Sequence, residues 1–217
     1  MAKSAEKGRE TRRYHSPRRK EQAAATRREI LDAAERLFVE DGYVATSMAA
    51  IAKEAGVALK TVYLAFETKS GLLRALWHRN LRGDREFVPV GDQSWFIEVL
   101  EEPDPATALR LNARNSRQVK TRIAPLGAVL LSAAAADPDV QELSERIWSD
   151  FYENQLEVVK ALHRRKALKK GLGVKRAADI LWTLNHPRTY LLFLERGWTP
   201  EQYERWLGDI TIAELLR

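Results

Sequence analysis

Four residues within a span of five positions combine a cation, a hydroxyl, a phenol and an apolar tip: Lys60, Thr61, Tyr63 and Leu64. Val62 and Phe66 lie four positions apart in the same segment, so a helix there turns them inward and leaves the other four on its outer side. Lysine contacts guanine or phosphate, threonine bonds a base or touches the thymine methyl group, and tyrosine commonly reaches phosphate. This mixture favours contact with nucleic acid over simple solvation.

Two short helices joined by a tight turn are predicted to position these side chains. Ser47 is a plausible N-cap for a helix over Met48–Ala55, and Gly56 permits the left-handed turn that ends it. A second helix over Leu59–Phe66 follows directly. The spacing predicts a helix-turn-helix over Ser47–Phe66. The alternative from these residues alone is an ordinary three-helix packing unit with an exposed tyrosine.

Longer helices are predicted on both sides of this motif. Thr26 and Glu29 form a capping-box pattern for the preceding helix, and Gly42 is placed to end it. Thr68 is a good N-cap for the following helix. Both helices carry apolar residues at helical spacing, which gives each of them one buried face: Ile30, Ala33, Ala34, Leu37 and Phe38 in the first, and Leu72, Leu73, Leu76 and Trp77 in the second.

The positive charge is concentrated at the N-terminus. Residues 1–28 hold ten basic and three acidic residues, which gives +7 there and −1 for the remainder of a chain whose formal net charge is +6. Such segments often neutralise phosphates and release counterions. Residues 1–22 also lack apolar periodicity and are predicted to form a disordered basic arm. Simple solvation of a disordered tail remains the alternative interpretation.

Composition excludes several other classes of protein. No apolar run approaches the ~20 residues of a membrane span, and no apolar stretch follows the basic N-terminus as in a secretory signal. Cysteine is absent from the 217 residues, which excludes disulfides and thiolate metal sites and fits a cytoplasmic location. No phosphate-binding glycine loop, paired histidines or nucleophile motif is present, so no enzyme, cofactor or metal site is expected.

The rest of the chain is predicted to be helical as well, which makes the fold class all-α. The predicted domains are the arm (1–22), the helix-turn-helix domain (23–83) and a helical body (84–217). Helices are expected in the body near residues 106–120, 123–135, 139–167, 175–196 and 200–216. Pro125 marks one of the breaks, whereas Pro187 is expected to kink its helix and free the carbonyl of Thr183.

The body also offers candidate ligand contacts. Polar and cationic residues lie among apolar ones, and Trp148 and Tyr152 are four apart on one helix. Such groups suit a pocket with aromatic walls and a cation that favours acidic or carbonyl-bearing ligands. The predicted contacts are Arg110, Arg114, Trp148, Tyr152, Asn185 and His186. The alternative is that the arginines lie on the surface and the aromatic residues in the core.

Residues 26–77 resemble the DNA-binding domain of tetracycline-repressor-type (TetR family) regulators. The resemblance is carried by Ile30–Phe38, Gly42–Ser47, Ile51–Val57 and Thr61–Phe66, with Thr68, Lys69, Leu72 and Leu73 after them. Two positions depart from the family pattern. Ala58 replaces a frequent Ser or Thr cap, and Gly71 replaces a better helix former, each at a cost on the order of 1 kcal/mol.

The resemblance implies a homodimer whose recognition helices enter successive major grooves of double-stranded DNA. By position, phosphate contacts fall to Thr46, Ser47, Tyr63 and Lys69, and base contacts fall to Lys60, Thr61 and Leu64. Arg27 and Arg28, at the end of the basic segment, complete the predicted DNA-binding set. The last two predicted helices resemble the family's dimer interface, with Trp182, Tyr190, Phe193, Trp206 and Ile210 as candidates. They could instead close the core of the monomer.

The predicted function is therefore a dimeric repressor that a small-molecule effector releases from a palindromic operator. One alternative is a nucleoid-associated DNA-binding protein without an effector, which would coat DNA widely and without a preferred site. Another is a helical protein-interaction module whose basic arm binds an acidic partner. In that case, changing Tyr63 and Lys60 would leave the affinity for DNA unchanged.

Overall fold

A computed structural model describes residues 17–82 and 90–217, and these residues confirm the predicted all-α fold. Apart from a 3-10 turn at Val90–Asp92 and an isolated β-bridge between Leu168 and Leu216, their regular structure is entirely α-helical. None of the described helices is long and apolar enough to cross a membrane. The helices are α1 (Pro17–Glu40), α2 (Met48–Glu54), α3 (Leu59–Phe66), α4 (Lys69–Arg82), α5 (Ser94–Glu101), α6 (Pro105–Ala134), α7 (Pro138–Arg164), α8 (Val174–Leu184), α9 (Pro187–Glu195) and α10 (Pro200–Leu215).

Helix α1 begins nine residues before the predicted start at Thr26. Its first residue is Pro17, which suits the first turn of a helix because that turn needs no backbone donor. The next residues are mainly Arg, Lys, Glu, Gln and Ala, which are strong helix formers even without an apolar face. The predicted arm over 1–22 is therefore wrong for residues 17–22, and the rest of it lies outside the described residues.

The helix-turn-helix forms as predicted. The Ser47 hydroxyl accepts a hydrogen bond from the Ala50 N–H at 3.1 Å and so caps α2. Gly56 adopts φ +67° in the turn, a conformation that glycine reaches without strain. Helix α3 has the predicted bounds, although Ala58 supplies no side-chain cap. The Thr68 hydroxyl accepts from the Gly71 N–H at 2.9 Å at the start of α4.

Pro125 does not mark a break between two helices as predicted, because α6 runs through it from Pro105 to Ala134. An internal proline costs about 3 kcal/mol through a lost hydrogen bond and a ring clash. Helix α6 packs against α1, α4, α5, α7, α9 and α10, and the residues on both sides of the proline, Ala124 and Leu126, are buried. Burial along this central helix outweighs the local penalty.

Pro187 has the opposite outcome, since it separates two helices where one kinked helix was predicted. A proline disfavours helical backbone at the residue before it. Helix α8 accordingly ends at Leu184, and α9 begins at Pro187. His186 caps α9 by accepting the Arg188 N–H at its Nδ1 atom, 3.1 Å away. The Thr183 carbonyl is not left free, because it accepts from the Thr189 hydroxyl at 2.9 Å.

The helix-turn-helix module (α1–α4) and the body (α5–α10) share one apolar cluster. Phe38, Leu76 and Trp77 of the module belong to the same buried cluster as Leu126 of α6 and Val140 of α7. The Tyr43 hydroxyl adds a 2.6 Å hydrogen bond to Asp137, the N-cap of α7. The module is therefore anchored on α6 and α7, not merely tethered to them.

Candidate nucleic-acid interface and body cavity

Helix α3 presents an outer face whose residues were predicted to contact DNA. Val62 and Phe66 are buried against the module, as their spacing indicated. The recognition face, defined as Lys60, Thr61, Tyr63 and Leu64, lies on the opposite side. Leu64 is 76% exposed and Tyr63 is 48% exposed. Lys60 is exposed and Thr61 is half-buried. An apolar tip this open, beside a cation and a phenol, is suited to contact the floor of a DNA groove.

The two predicted contacts at the start of α2 separate in the structure. Ser47 is exposed at the helix N-terminus, where backbone N–H groups favour phosphate. Thr46 is buried, and its hydroxyl lies 2.8 Å from the Gly42 carbonyl and 3.1 Å from the Leu37 carbonyl. The prediction that the Thr46 side chain contacts phosphate is therefore wrong, because its hydroxyl is used to close the loop after α1.

Lys69 holds the loop before α2 together, a role that the sequence did not indicate. Its ammonium donates to the carbonyls of Tyr43 at 2.8 Å and Thr46 at 3.0 Å. It also lies over the Tyr43 ring, 4.2 Å from the centroid. Burial lowers the pKa of Lys69. The structure therefore places this cation in loop support, and the predicted phosphate contact by its side chain is corrected accordingly.

Arg27 is exposed, but its side chain is engaged by other residues of the module. Its guanidinium donates to the Ala65 carbonyl at 2.7 Å and stacks over the Phe66 ring at 4.1 Å. A cation at this place also complements the negative end of the α3 dipole. Arg27 thus fixes the last turn of the recognition helix, whereas Arg28 is exposed and free to face a polyanion.

The body holds a cavity of about 430 Å³ between α4, α5, α6 and α7, called here the body cavity. Its lining combines aromatic and polar side chains, which is the usual constitution of a small-molecule site. The aromatic wall is formed by Trp77, Trp95, Phe96, Trp148 and Phe151. The polar wall is formed by Asn112, Ser116, Lys120 and Gln155.

Of the six predicted ligand contacts, only Trp148 lines the body cavity. Arg110 pairs with Asp209 at 2.7 Å on the surface, and Arg114 approaches Glu98 at 3.9 Å. Both predictions are wrong because α6 turns a different face inward. Asn112 and Ser116 line the cavity, and each arginine lies two residues before one of them, about 200° around the helix. Tyr152 also faces away and donates to Asp179 at 3.0 Å.

Asn185 and His186 support the cavity wall from behind. Asn185 is fully buried, and its amide donates to Ser116 and Gln155, both at 2.9 Å. The His186 ring packs against Trp148 and Trp182 at centroid distances of 4.8 and 4.9 Å. Burial, with the charges of Lys120 and Arg188, lowers the pKa of His186 to about 4. Asn185 and His186 therefore contact residues of the cavity wall, and the prediction that they contact a ligand directly is wrong.

Lys120 is the functional candidate that sequence reasoning missed. It is 2% exposed, and its ammonium donates to the Asn185 side-chain oxygen and to the Tyr203 hydroxyl. Burial lowers its pKa well below the usual value for lysine. A lysine in a helix with many exposed charges is normally a surface residue. Its position eight residues after Asn112, on the same face, was the one signal available.

The predicted interface residues divide between core and surface. Tyr190 is 1% exposed and packs 5.0 Å from the Tyr203 ring, so its assignment to a dimer interface is wrong. Phe193 is half-buried, 4.4 Å from the Trp206 ring. Trp206 and Ile210 line a shallow groove along α10. The indole N–H of Trp182 is buried without a hydrogen-bond partner among the described residues.

Comparison with known proteins agrees with this arrangement. Residues 30–76 match the family model of bacterial regulatory proteins, tetR family. The chain is 26% identical to the HTH-type transcriptional regulator AcrR of Shigella flexneri over 85% of its own length and 84% of that protein. NalD, the secondary repressor of the MexAB-OprM multidrug efflux pump in Pseudomonas aeruginosa, superimposes with a TM-score of 0.69 at 24% identity, covering 91% of this chain and 98% of NalD.

A second structural relative carries a ligand. The triclosan complex of SmeT, from Stenotrophomonas maltophilia, superimposes with a TM-score of 0.69 at 21% identity, covering 89% of this chain and 92% of SmeT. At these identities both solved structures establish a shared fold. Taken with the curated relative over most of the chain, they lead to one conclusion: residues 30–76 form a helix-turn-helix domain of the tetR-family type, and the chain as a whole is similar to tetR-family transcriptional regulators.

Proposed function

We propose that the protein is a dimeric repressor that leaves its DNA operator when a small molecule fills the body cavity. The observation that carries this proposal is the placement of α4. Its first residue, Lys69, bonds the loop that precedes α2, and its second half contributes Trp77, His78 and Leu81 to the cavity lining. One helix therefore contacts both the module that holds the recognition face and the space that would hold the ligand.

On the DNA side, the recognition face supplies both kinds of contact that sequence-specific binding needs. Leu64 and Lys60 would meet base edges in the major groove, while the Tyr63 phenol and the exposed Ser47 at the start of α2 would meet phosphates. Two such faces in a dimer would bind half-sites one helical turn apart, about 34 Å along the duplex. A palindromic operator follows from the two-fold symmetry of the dimer.

On the ligand side, release is a shift between two arrangements of the body. A ligand that fills the cavity better when α4 is displaced favours the displaced arrangement by the difference in its affinity for the two. Because Lys69 and Trp77 are on one rigid helix, that displacement also moves the loop before α2. The distance between the two recognition faces then departs from one DNA turn, and affinity for the operator falls.

The groove on α10 is the surface proposed for dimerisation. Trp206 and Ile210 line it together with Trp198, which is 36% exposed. Partly exposed aromatic and aliphatic side chains in one groove are typical of the centre of a protein interface. Helices α8 and α10 would pair with their copies, and Trp182 of α8 would add its indole to the contact.

Two named relatives support the choice of repressor over activator and of a small-molecule effector. NalD is described as a repressor of a multidrug efflux pump, and SmeT was solved with triclosan bound. The present chain has the same fold and a cavity with an aromatic wall. Its proposed location is the cytoplasm, where operator DNA is found.

The decisive experiment selects bound sequences from random double-stranded DNA and then screens small molecules for release of the selected site. One short palindrome, protected by the protein and freed by a compound that binds the body cavity, is the expected result. Broad and salt-sensitive coating of DNA without a preferred sequence would instead support a nucleoid-associated protein. A selected palindrome that no cavity ligand releases would retain the DNA-binding role and reject the effector.

A further inference from the structure

The ammonium of Lys120 is enclosed without a carboxylate partner among the described residues. Its two protein acceptors, Asn185 and Tyr203, are neutral groups that accept hydrogen bonds and leave its charge uncompensated. The ammonium is also 5.2 Å from the centre of the Tyr203 ring. A buried charge normally has an opposite charge beside it, because desolvation strongly penalises an isolated ion. Within residues 17–82 and 90–217, Lys120 is therefore an amine without a counter-ion.

The missing counter-ion has a place to bind, because Lys120 forms part of the polar wall of the body cavity. An ammonium has three N–H donors, and two of them are used within the protein. The polar groups next to it along α6, Ser116 and Asn112, also face the cavity. The indole and phenyl rings of the aromatic wall line the same cavity. The two walls together would hold a flat apolar ligand with one negatively charged end.

We propose that the effector is an aromatic acid, bound as its anion with the carboxylate against Lys120 and the rings against Trp77, Trp95 and Trp148. This inference rests on the proposed function, since it names the ligand class of the same cavity. Burial disfavours the ammonium form and the anion would stabilise it, so binding would raise the pKa of Lys120 and favour its protonated state. The ligand thus supplies a negative charge that none of the described residues places beside Lys120.

The other titratable groups near Lys120 that the structure describes do not supply that charge. Tyr203 of α10 is neutral because burial raises its pKa far above the physiological range. His186, before α9, is neutral because its pKa is lowered to about 4. His78 of α4 also lines the cavity. Asp150 and Glu153 of α7 are exposed at its edge, where water and salt screen their charges.

The test compares two probes of nearly equal shape, 2-naphthoate and 2-naphthamide, by calorimetric titration of the full-length protein at pH 7. The carboxylate probe is expected to bind at least about tenfold more tightly, the usual advantage of a hydrogen bond to a charged group. Equal affinity for the two probes, or binding of neither, would overturn the proposal. Release from DNA is measured in a separate experiment, so neither result decides the proposed function, which the operator selection tests.

Lys120→Met supplies the residue-specific readout, since methionine keeps the length of the chain and removes the charge. The variant is expected to lose the preference for naphthoate and to keep its affinity for naphthamide. Lys170→Met is the matched control, because Lys170 is exposed in the loop after α7, and it should bind both probes as the unmodified protein does. A preference for naphthoate that persists in Lys120→Met would contradict the assignment.

A pH profile of the unmodified protein decides the matter if Lys120→Met does not fold. Naphthoate binding needs the protonated amine of Lys120. At pH values above the pKa of Lys120 in the unliganded protein, naphthoate affinity should therefore fall by up to about tenfold for each pH unit. Naphthamide affinity should stay level over the same range. A ratio of the two affinities that is constant between pH 6 and pH 10 would overturn the proposal.

Discussion

Gly71 lies so close to Phe66 that a Cβ atom at position 71 would come within 3.0 Å of the Phe66 carbonyl oxygen. The last turn of α3 and the first turn of α4 are therefore in backbone contact. This contact sets the angle between the recognition helix and the helix that reaches the body cavity. What looked in the sequence like a weak helix start is a requirement of close packing.

Gly71→Ala is consequently expected to destabilise the protein, although alanine is the better helix former. The added methyl group forces backbone apart, with an expected loss of about 1–3 kcal/mol in the free energy of unfolding. Gly127→Ala is the matched control, because Gly127 lies inside α6 and a Cβ there meets nothing within 4 Å. It should gain about 0.5–1 kcal/mol. Urea unfolding measures both. A neutral or stabilising Gly71→Ala would show that the two helix ends move apart freely.

Lys60 and Lys69 are expected to respond differently to the same substitution by methionine. Lys69→Met removes two hydrogen bonds to loop carbonyls, so the melting temperature and operator affinity should fall together, with a loss of about 1–3 kcal/mol in stability. Lys60→Met removes an exposed charge, so operator affinity should fall by about 1–3 kcal/mol with stability unchanged. Thermal unfolding and fluorescence anisotropy with labelled operator separate the two effects. Unchanged stability in Lys69→Met would contradict its role in holding the loop.

His186 should make stability depend on pH below neutrality. Its pKa is lowered to about 4 in the folded protein, so the unfolded chain binds more protons between pH 6.5 and pH 4. Stability is therefore fully present above pH 6.5 and falls as the pH drops towards 4, by up to about 3 kcal/mol from this residue. His186→Asn keeps a side-chain acceptor for the cap of α9 and cannot titrate. Over this pH range, the free energy of unfolding of His186→Asn, measured by chemical denaturation, should change less than that of the unmodified protein. An equal pH dependence in the two proteins would contradict the role given to His186.

Ile210→Asp is expected to convert the proposed dimer to a monomer without unfolding it. Ile210 lines the groove on α10 and is half-exposed, so a carboxylate is tolerated in the monomer but not in an apolar interface. Leu131→Asp is the control, because Leu131 is 38% exposed on α6 and does not line that groove. Sedimentation and operator binding should both be impaired only by Ile210→Asp. A dimeric Ile210→Asp would move the interface elsewhere.

Local chemistry explains which parts of the structure were predictable. Ser47, Gly56 and Thr68 each act on the residues beside them, through a cap or a left-handed turn, so the bounds of α3 followed from sequence. The start of α1 did not, because its first two turns form through helix propensity without an apolar face. The two internal prolines show the limit: Pro125 lies in a helix packed on several sides, while Pro187 starts a new one, and only packing distinguishes them.

The candidate site divides in the same way. The recognition face is set by one short amphipathic helix, so its exposed residues could be identified from spacing alone. The body cavity is set by the rotation of α6 against α4, α5 and α7. An error of two positions in that rotation assigns Arg110 and Arg114 to the cavity in place of Asn112 and Ser116. The buried positions of Thr46 and Lys120 and the half-buried position of Lys69 could not be predicted either, because nothing in these residue types indicates burial.

The apolar cluster that joins α1–α4 to α6 and α7 has a thermodynamic consequence. Because Trp77 belongs to that cluster and also lines the body cavity, module and body should unfold in a single cooperative transition. A compound that binds the cavity would then slow hydrogen exchange in the recognition helix as well as in the body. The effector would lower the affinity for DNA and, at the same time, raise the free energy of unfolding of the DNA-binding module.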